Sequence, residues 1–136
     1  VSDTAGRILL SLVTPERKLL EEAVEEVVLP GSEGYLGVLP GHAPLLTGLK
    51  TGELTYTESG RRHACFVTGG FVEVLPDRVS VLADVGERAE EIDVERARAA
   101  KDRAEKRLKG GEDVDWDRAR AALSRALARI QIAGRK

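Results

Sequence analysis

A single cysteine, Cys65, rules out any intrachain disulfide. Flanked by Ala64, Phe66 and Val67, it has the setting of a buried strand thiol, which fits a reducing compartment. Histidine is almost as scarce. Neither His42 nor His63 has a His, Cys or carboxylate at metal-ligand spacing, so no metal site is expected. No apolar run approaches the roughly 20 residues that span a bilayer, and no signal-peptide pattern opens the sequence. Any membrane link is therefore expected to be peripheral, through another protein.

Catalytic signatures are missing too. There is no GxxxxGK[ST] phosphate loop, and the glycines of GSEGYLGVLPG lack its lysine and its strand–loop–helix context. Ser32 and Ser59 lie in glycine turns, but neither makes GxSxG. The pairs Glu21-Glu22, Glu25-Glu26 and Glu90-Glu91 have the look of solvated faces, not of an acid–base dyad. No catalytic residue is predicted.

What remains is an ordinary soluble composition. Of 136 residues, 42% are hydrophobic and 32% charged, enough for one domain or two small ones. The net charge of −2 supplies no field for nucleic acid or an anionic membrane. It is unevenly divided. Residues 1–86 carry 7 basic and 12 acidic side chains, and residues 87–136 carry 14 and 11. The two parts therefore meet different partners, or each other.

The most distinctive stretch is LPGSEGYLGVLPGHAPLLTGLKTG, Leu29 to Gly52. Such glycine and proline density is usual in a flexible linker, but Leu, Val and Tyr are threaded through it. A rigid, shaped loop surface that carries binding is expected.

Around it, the period from Arg7 to Asp84 is that of strands. Ile8–Val13, Ala23–Leu29, Glu53–Thr57, Phe71–Leu75 and Arg78–Leu82 are rich in strand formers, and the last three alternate. Gly52, Ser59-Gly60, Gly69-Gly70 and Pro76-Asp77 are turn signals between them. This spacing predicts an antiparallel β-sandwich or barrel over residues 1–86.

After Glu87 the pattern becomes helical. Asp93 is a plausible N-cap for a helix to about Leu108, with Ala97, Ala100, Ala104 and Leu108 on one face. Gly110-Gly111 ends it. Asp115 caps a second helix whose seam is Trp116, Ala119, Leu123, Ala126, Ile130 and Ala133. Residues 87–136 should form an antiparallel two-helix hairpin. Its seams are mostly methyl groups, so it must dock on the β part or open onto something else.

Arginine stripes mark this hairpin. Arg96, Arg103 and Arg107 share a face, as do Arg118, Arg125 and Arg129. If the helices fold together these could converge on one anion, since guanidinium suits phosphate. They could equally be solvated faces paired with acidic neighbours, the commoner fate of charged stripes. A nucleic-acid hairpin is disfavoured by the 11 acids in the same segment.

GSEGYLGVLPGHAPLLTGLKTGEL closely resembles the signature of the epsilon subunit of F-type ATP synthases. So do Val67–Val74, Val79–Asp84, and Ile92-Asp93-Val94-Glu95-Arg96-Ala97 continued by Arg103-Ala104-Glu105. The likeness covers nearly the whole chain. It implies a non-catalytic central-stalk subunit, on the cytoplasmic face of the bacterial plasma membrane in preference to a plastid thylakoid. The subunit couples proton flow to rotary ATP synthesis and touches the membrane only through the ring of c subunits.

The resemblance also implies roles for parts of the chain. The sandwich would bind the gamma subunit and the c ring. Ser32-Glu33-Gly34-Tyr35 corresponds to the c-ring-facing turn, with Tyr35 where some relatives carry an acidic residue. His42 falls near the gamma-facing region, or is a structural turn histidine. The hairpin would inhibit ATP hydrolysis when extended along gamma towards the beta and alpha subunits. Some bacterial members bind ATP in the folded state, as a regulatory ligand and not a required cofactor. The matching positions here are Ile92, Asp93, Arg96, Ala97, Arg103, Arg125 and Arg129, with Glu87 at the base edge. The competing reading is a stand-alone β-sandwich binding module with a helical oligomerisation hairpin.

Overall fold

The structure is a computed structural model that describes residues 6–111 and 113–135. Eight strands come first: β1 (Ile8–Val13), β2 (Lys18–Val24), β3 (Glu26–Gly31), β4 (Gly34–Val38), β5 (Leu45–Gly48), β6 (Gly52–Glu58), β7 (Arg61–Leu75) and β8 (Arg78–Arg88). A 3-10 turn at Ala89–Glu91 leads to helices α1 (Val94–Lys109) and α2 (Trp116–Ala133).

Strand pairing explains how one ladder becomes two layers. β7 pairs with β6 through residues 61–67 and with β5 through residues 71–74. β8 runs antiparallel to β7 along both parts and takes β1 in parallel at residues 78–82. One layer is therefore β2-β1-β8-β7-β5 and the other β4-β3-β6-β7-β8, sharing the two long strands. The crease lies at Gly69 and Gly70, whose φ values are +68° and +107°. A Cβ on Gly70 would stand 1.8 Å from the Leu82 carbonyl oxygen, so no other residue fits there unshifted.

That crease corrects one expectation. Gly69-Gly70 does not separate two strands; it bends a single one. Two further strand assignments also change. The stretch Ala23–Leu29 is split between β2 and β3 by a bend at Glu25, whose side chain accepts the N–H groups of Ser59 (2.7 Å) and Gly60 (3.1 Å). Ser59 and Gly60 both have positive φ, the signature of a tight hairpin turn. The Gly/Pro-rich stretch is rigid but is not mainly loop. It contributes β4 and β5, and Pro30 sits inside β3.

Alternation puts the core between the layers. Ile8, Leu10, Leu12, Val27, Leu29, Leu54, Tyr56, Cys65, Val67, Val72, Val74, Val79 and Val81 all point inward and are buried. Cys65 is among them, as its neighbours implied.

The helical hairpin forms as its caps dictate. Asp93 accepts the N–H of Arg96, and Asp115 that of Arg118, each at 3.1 Å. The alanine seam is closed, with Ala97, Ala104, Ala119, Ala126 and Ala133 buried, whereas Trp116 at its end remains 44% exposed. The hairpin is folded onto the sandwich through α2. Ile132 and Ala133 join Phe66, Ala89 and Ile92 in a second, smaller core outside the first. Phe66 belongs to it because β7 residues alternate: Cys65 and Val67 face between the layers, and Phe66 faces the helices.

Candidate functional site

The folded hairpin and the end of the sandwich frame an open-sided cavity of about 360 Å³, within the size range of small-molecule sites. Glu87 at the end of β8, Glu91 in the 3-10 turn and Asp93 at the helix cap form one side. Arg96, Ala97, Ala100 and Arg103 come from α1, and Arg129 from α2. Four elements, β8, the 3-10 turn, α1 and α2, meet here because α2 lies against β7.

Arg96 and Arg103 are two helical turns apart on one face, roughly 10 Å along the axis. Among the described residues neither makes an ion pair. Both offer planar forks suited to phosphate oxygens. Arg129 is held differently. Its Nε–H donates to Glu87 Oε1 at 2.7 Å, and its guanidinium carbon lies 4.2 Å from the Phe66 ring centre. The pair is partly desolvated, at 27% and 29% side-chain exposure, so it interacts more strongly than a surface ion pair.

The opposite wall is fixed by Glu91. It receives both Arg17 amino groups, at 2.8 and 3.0 Å, and the Arg88 backbone N–H at 2.8 Å. Its carboxyl is held below the ordinary carboxylate range, first by the Arg17 hydrogen bond and then by the Arg88 amide against a burial cost. Glu91 is therefore an anion at neutral pH.

Of the residues expected at a nucleotide site, Glu87, Asp93, Arg96, Ala97 and Arg103 line the cavity together with Arg129. Ile92 is buried beneath it in the second core. Arg125, one turn before Arg129 on α2, is half-buried and is not among the lining residues. Asp93 spends one oxygen on capping α1.

The other expected contacts lie elsewhere on the sandwich. Ser32, Glu33, Gly34 and Tyr35 are exposed where β3 turns into β4. Ser32 Oγ is 3.1 Å from Thr47 Oγ1, and the Tyr35 hydroxyl accepts the Glu53 N–H at 3.1 Å. His42 follows β4 in a turn, where Nδ1–H donates to the Ala43 carbonyl at 2.7 Å. Three contacts escaped the sequence: Arg17 with Glu91, Arg129 over Phe66, and Arg135 with Glu53. Each joins positions far apart in the chain, and no local pattern marks them.

Among the described residues no cluster of three metal-ligating side chains occurs, and no helix is long and apolar enough to cross a membrane.

A β-sandwich followed by a docked helical hairpin defines a recognised class of small subunit. Residues 7–89 match the family model of the ATP synthase delta/epsilon chain β-sandwich domain, and residues 90–134 that of its long α-helix domain. An ATP synthase epsilon chain of Solibacter usitatus is 58% identical over 97 residues, covering 71% of this chain and 72% of the relative. One of Citrifermentans bemidjiense is 49% identical over 133 residues, covering 96% of each. The chain belongs to this family, as an epsilon subunit of the bacterial F-type ATP synthases.

Solved structures agree on the fold. A chain of the Euglena gracilis mitochondrial ATP synthase, in a structure of OSCP, F1 and c ring, superposes with a TM-score of 0.82 at 24% identity, covering 96% of this chain and 82% of that one. A chain of the Tetrahymena thermophila mitochondrial central stalk and c ring gives 0.63 at 19%, covering 93% and 96%.

Proposed function

We propose that this chain is a non-catalytic central-stalk subunit whose hairpin inhibits ATP hydrolysis and whose folded hairpin is held by ATP. The observation that carries the ATP reading is the cavity itself. Its walls come from both the hairpin and the end of the sandwich, so it exists only in the folded state. In it, Arg96 and Arg103 have no carboxylate partner among the described residues and would take the phosphates. Glu87, with Arg129 beside Phe66, would meet the base edge. Arg125 would join only by reaching across from the next turn of α2.

The thermodynamics follow from differential binding. A ligand present at a hundred times its Kd, and bound only by the folded form, stabilises it by about 2.7 kcal/mol. A balanced hairpin would then be about 99% folded. ATP acts here as a reporter of energy supply, neither hydrolysed nor required for folding. With ATP scarce, the hairpin opens along gamma, and its excess of basic side chains faces acidic surface on the beta and alpha subunits. The lesser apolar area under α2 is consistent with a helix that docks reversibly.

On this reading the sandwich joins gamma and the c ring. The exposed Ser32-Glu33-Gly34-Tyr35 turn meets the ring, and the His42 turn lies towards gamma. The subunit works peripherally at the cytoplasmic face of the membrane and couples proton transport to synthesis by rotating with both. The test is ATP hydrolysis by the F1 complex assembled with this chain, intact or ending at Glu90. Loss of the hairpin should raise hydrolysis severalfold when ATP is low; an unchanged rate contradicts an inhibitory hairpin.

A further inference from the structure

The hinge of the hairpin is the link from Arg88 to Asp93, and it is fastened from outside itself. The fastening comes from the turn between β1 and β2. That turn is closed by the Thr14 N–H donating to the Arg17 carbonyl at 2.8 Å and the Arg17 N–H returning to the Thr14 carbonyl at 3.3 Å. Thr14 itself is buried, so the backbone of Arg17 is anchored. From this anchor both terminal nitrogens of Arg17 meet both carboxylate oxygens of Glu91, 74 residues away, at 2.8 and 3.0 Å.

We infer that Arg17 is a positioning residue that clamps the hairpin hinge, holding the folded state through Glu91 whether or not a ligand fills the cavity. The planar two-bond fork fixes direction as well as distance, which a single-point ion pair does not. Glu16 and Glu87 also lie close enough to act on Arg17 electrostatically, yet the hydrogen bonds go to Glu91. Glu91 passes the constraint on, because its Oε1 also accepts the Arg88 N–H at 2.8 Å. A second tie supports the same corner, from Arg88 Nη2–H to the Leu19 carbonyl at 2.8 Å. The 3-10 turn is thus pinned by β1–β2 on one side, while Ile92 is buried on the other and Asp93 begins α1. A swing of α1 that starts at Ala89 or Glu90 carries Glu91 off Arg17, so the clamp confines the hinge to Ile92 and Asp93 until it breaks.

An isolated surface ion pair usually contributes little. This one differs because both partners sit on fixed backbone and the motion it resists passes through one of them. The clamp goes beyond the ATP-sensing proposal and survives its failure, since it is tested without nucleotide.

The experiment is residue-resolved amide exchange on the full chain with Arg17→Gln, Glu91→Gln and both together. Glutamine at 91 retains an oxygen for the Arg88 amide. Arg17→Gln should speed exchange of the Ile92 and Ala97 amides roughly threefold to tenfold. The core amides of Leu10 and Val72 should keep their wild-type rates. The double variant should exchange no faster than Glu91→Gln alone, since a shared interaction is lost once. Wild-type rates at Ile92 and Ala97 in Arg17→Gln overturn the clamp. So does acceleration that spreads equally through the sandwich, or effects that multiply in the double variant.

Discussion

The guanidinium of Arg129 stacks 4.2 Å from the centre of the Phe66 ring while its Nε–H reaches Glu87 at 2.7 Å. One α2 side chain thus grips two strands, β7 through the ring and β8 through the carboxylate. Phe66 is fully buried by this contact and by Ile132, Ala133, Ala89 and Ile92. Phe66→Ala should therefore cost about 3–5 kcal/mol, most of it as loss of hairpin docking. Arg129→Ala should cost less, about 1–2 kcal/mol, because it removes one cation–π contact and one ion pair. Urea titration followed by the fluorescence of Trp116, the one tryptophan, would report both.

Gly70→Ala attacks the crease between the layers. Its φ of +107° is disfavoured for any side chain, and the added Cβ would overlap the Leu82 carbonyl oxygen. A loss of about 2–4 kcal/mol in unfolding free energy is expected. Gly41→Ala serves as control. It too has positive φ, but the added Cβ meets nothing within 4 Å, so the smaller loss of about 1 kcal/mol belongs to backbone strain alone.

Glu22 and Glu91 should give pH responses of opposite sign. Burial, then the neighbouring Glu58 charge, raises the Glu22 carboxyl above its ordinary range. The folded state therefore favours its proton, and stability tied to this group is present in acid and lost as pH rises through the raised value. Glu22→Gln should stabilise the chain at pH 7 and change little near pH 3.5. Glu91 is held low by Arg17, so its contribution is present at neutral pH and lost as pH falls through the depressed value. Glu91→Gln should destabilise at pH 7 and not below the depressed range. Urea titrations at pH 7 and near 3.5 check the Glu22 sign, and a series carried further into acid, until the Glu91→Gln difference vanishes, checks the Glu91 sign.

Burial pushes the Cys65 thiol up to about 12. At pH 8 the folded chain should not react with a disulfide exchange reagent, whereas the unfolded chain, with an ordinary thiol near 8.5, should react within minutes. Absorbance of the released reagent, with and without urea, measures this. Fast reaction of the folded chain would mean that the layers open at Cys65.

Local chemistry made much of this molecule legible in advance. Asp93 and Asp115 announce their helices because a capping carboxylate needs only the next turn. The alternation of Phe71–Leu75 and of Arg78–Leu82 records a sheet with one buried face. β2, β4 and β5 were harder. Leu19-Leu20 is too short a run to stand out, and the glycines of residues 29–52 mask both the short β3–β4 hairpin and the pairing of β5 with the distant residues 71–74 of β7. Gly69-Gly70 has the local signature of a turn; the long continuous partner β8 makes it a bend instead.

The site divides along the same line. Arg96 and Arg103 share a face by helical spacing, which is local. That Glu87 and Arg129 meet, that Phe66 lies beneath them, and that Arg17 fastens Glu91 depend on docking across the whole chain. The resemblance to known epsilon subunits placed Glu87 and Arg129 in one pattern, but spacing alone left the arginines undecided between surface and site.

The most direct test is calorimetric titration of the full chain with ATP, beside the same titration of Arg103→Ala. Saturable one-site binding that is lost, or weakened at least tenfold, in the variant is the result predicted for a nucleotide held between α1, α2 and the end of β8. No heat of binding by the wild-type chain, or equal affinity in Arg103→Ala, would contradict it and leave the arginine face as a grip for neighbouring subunits.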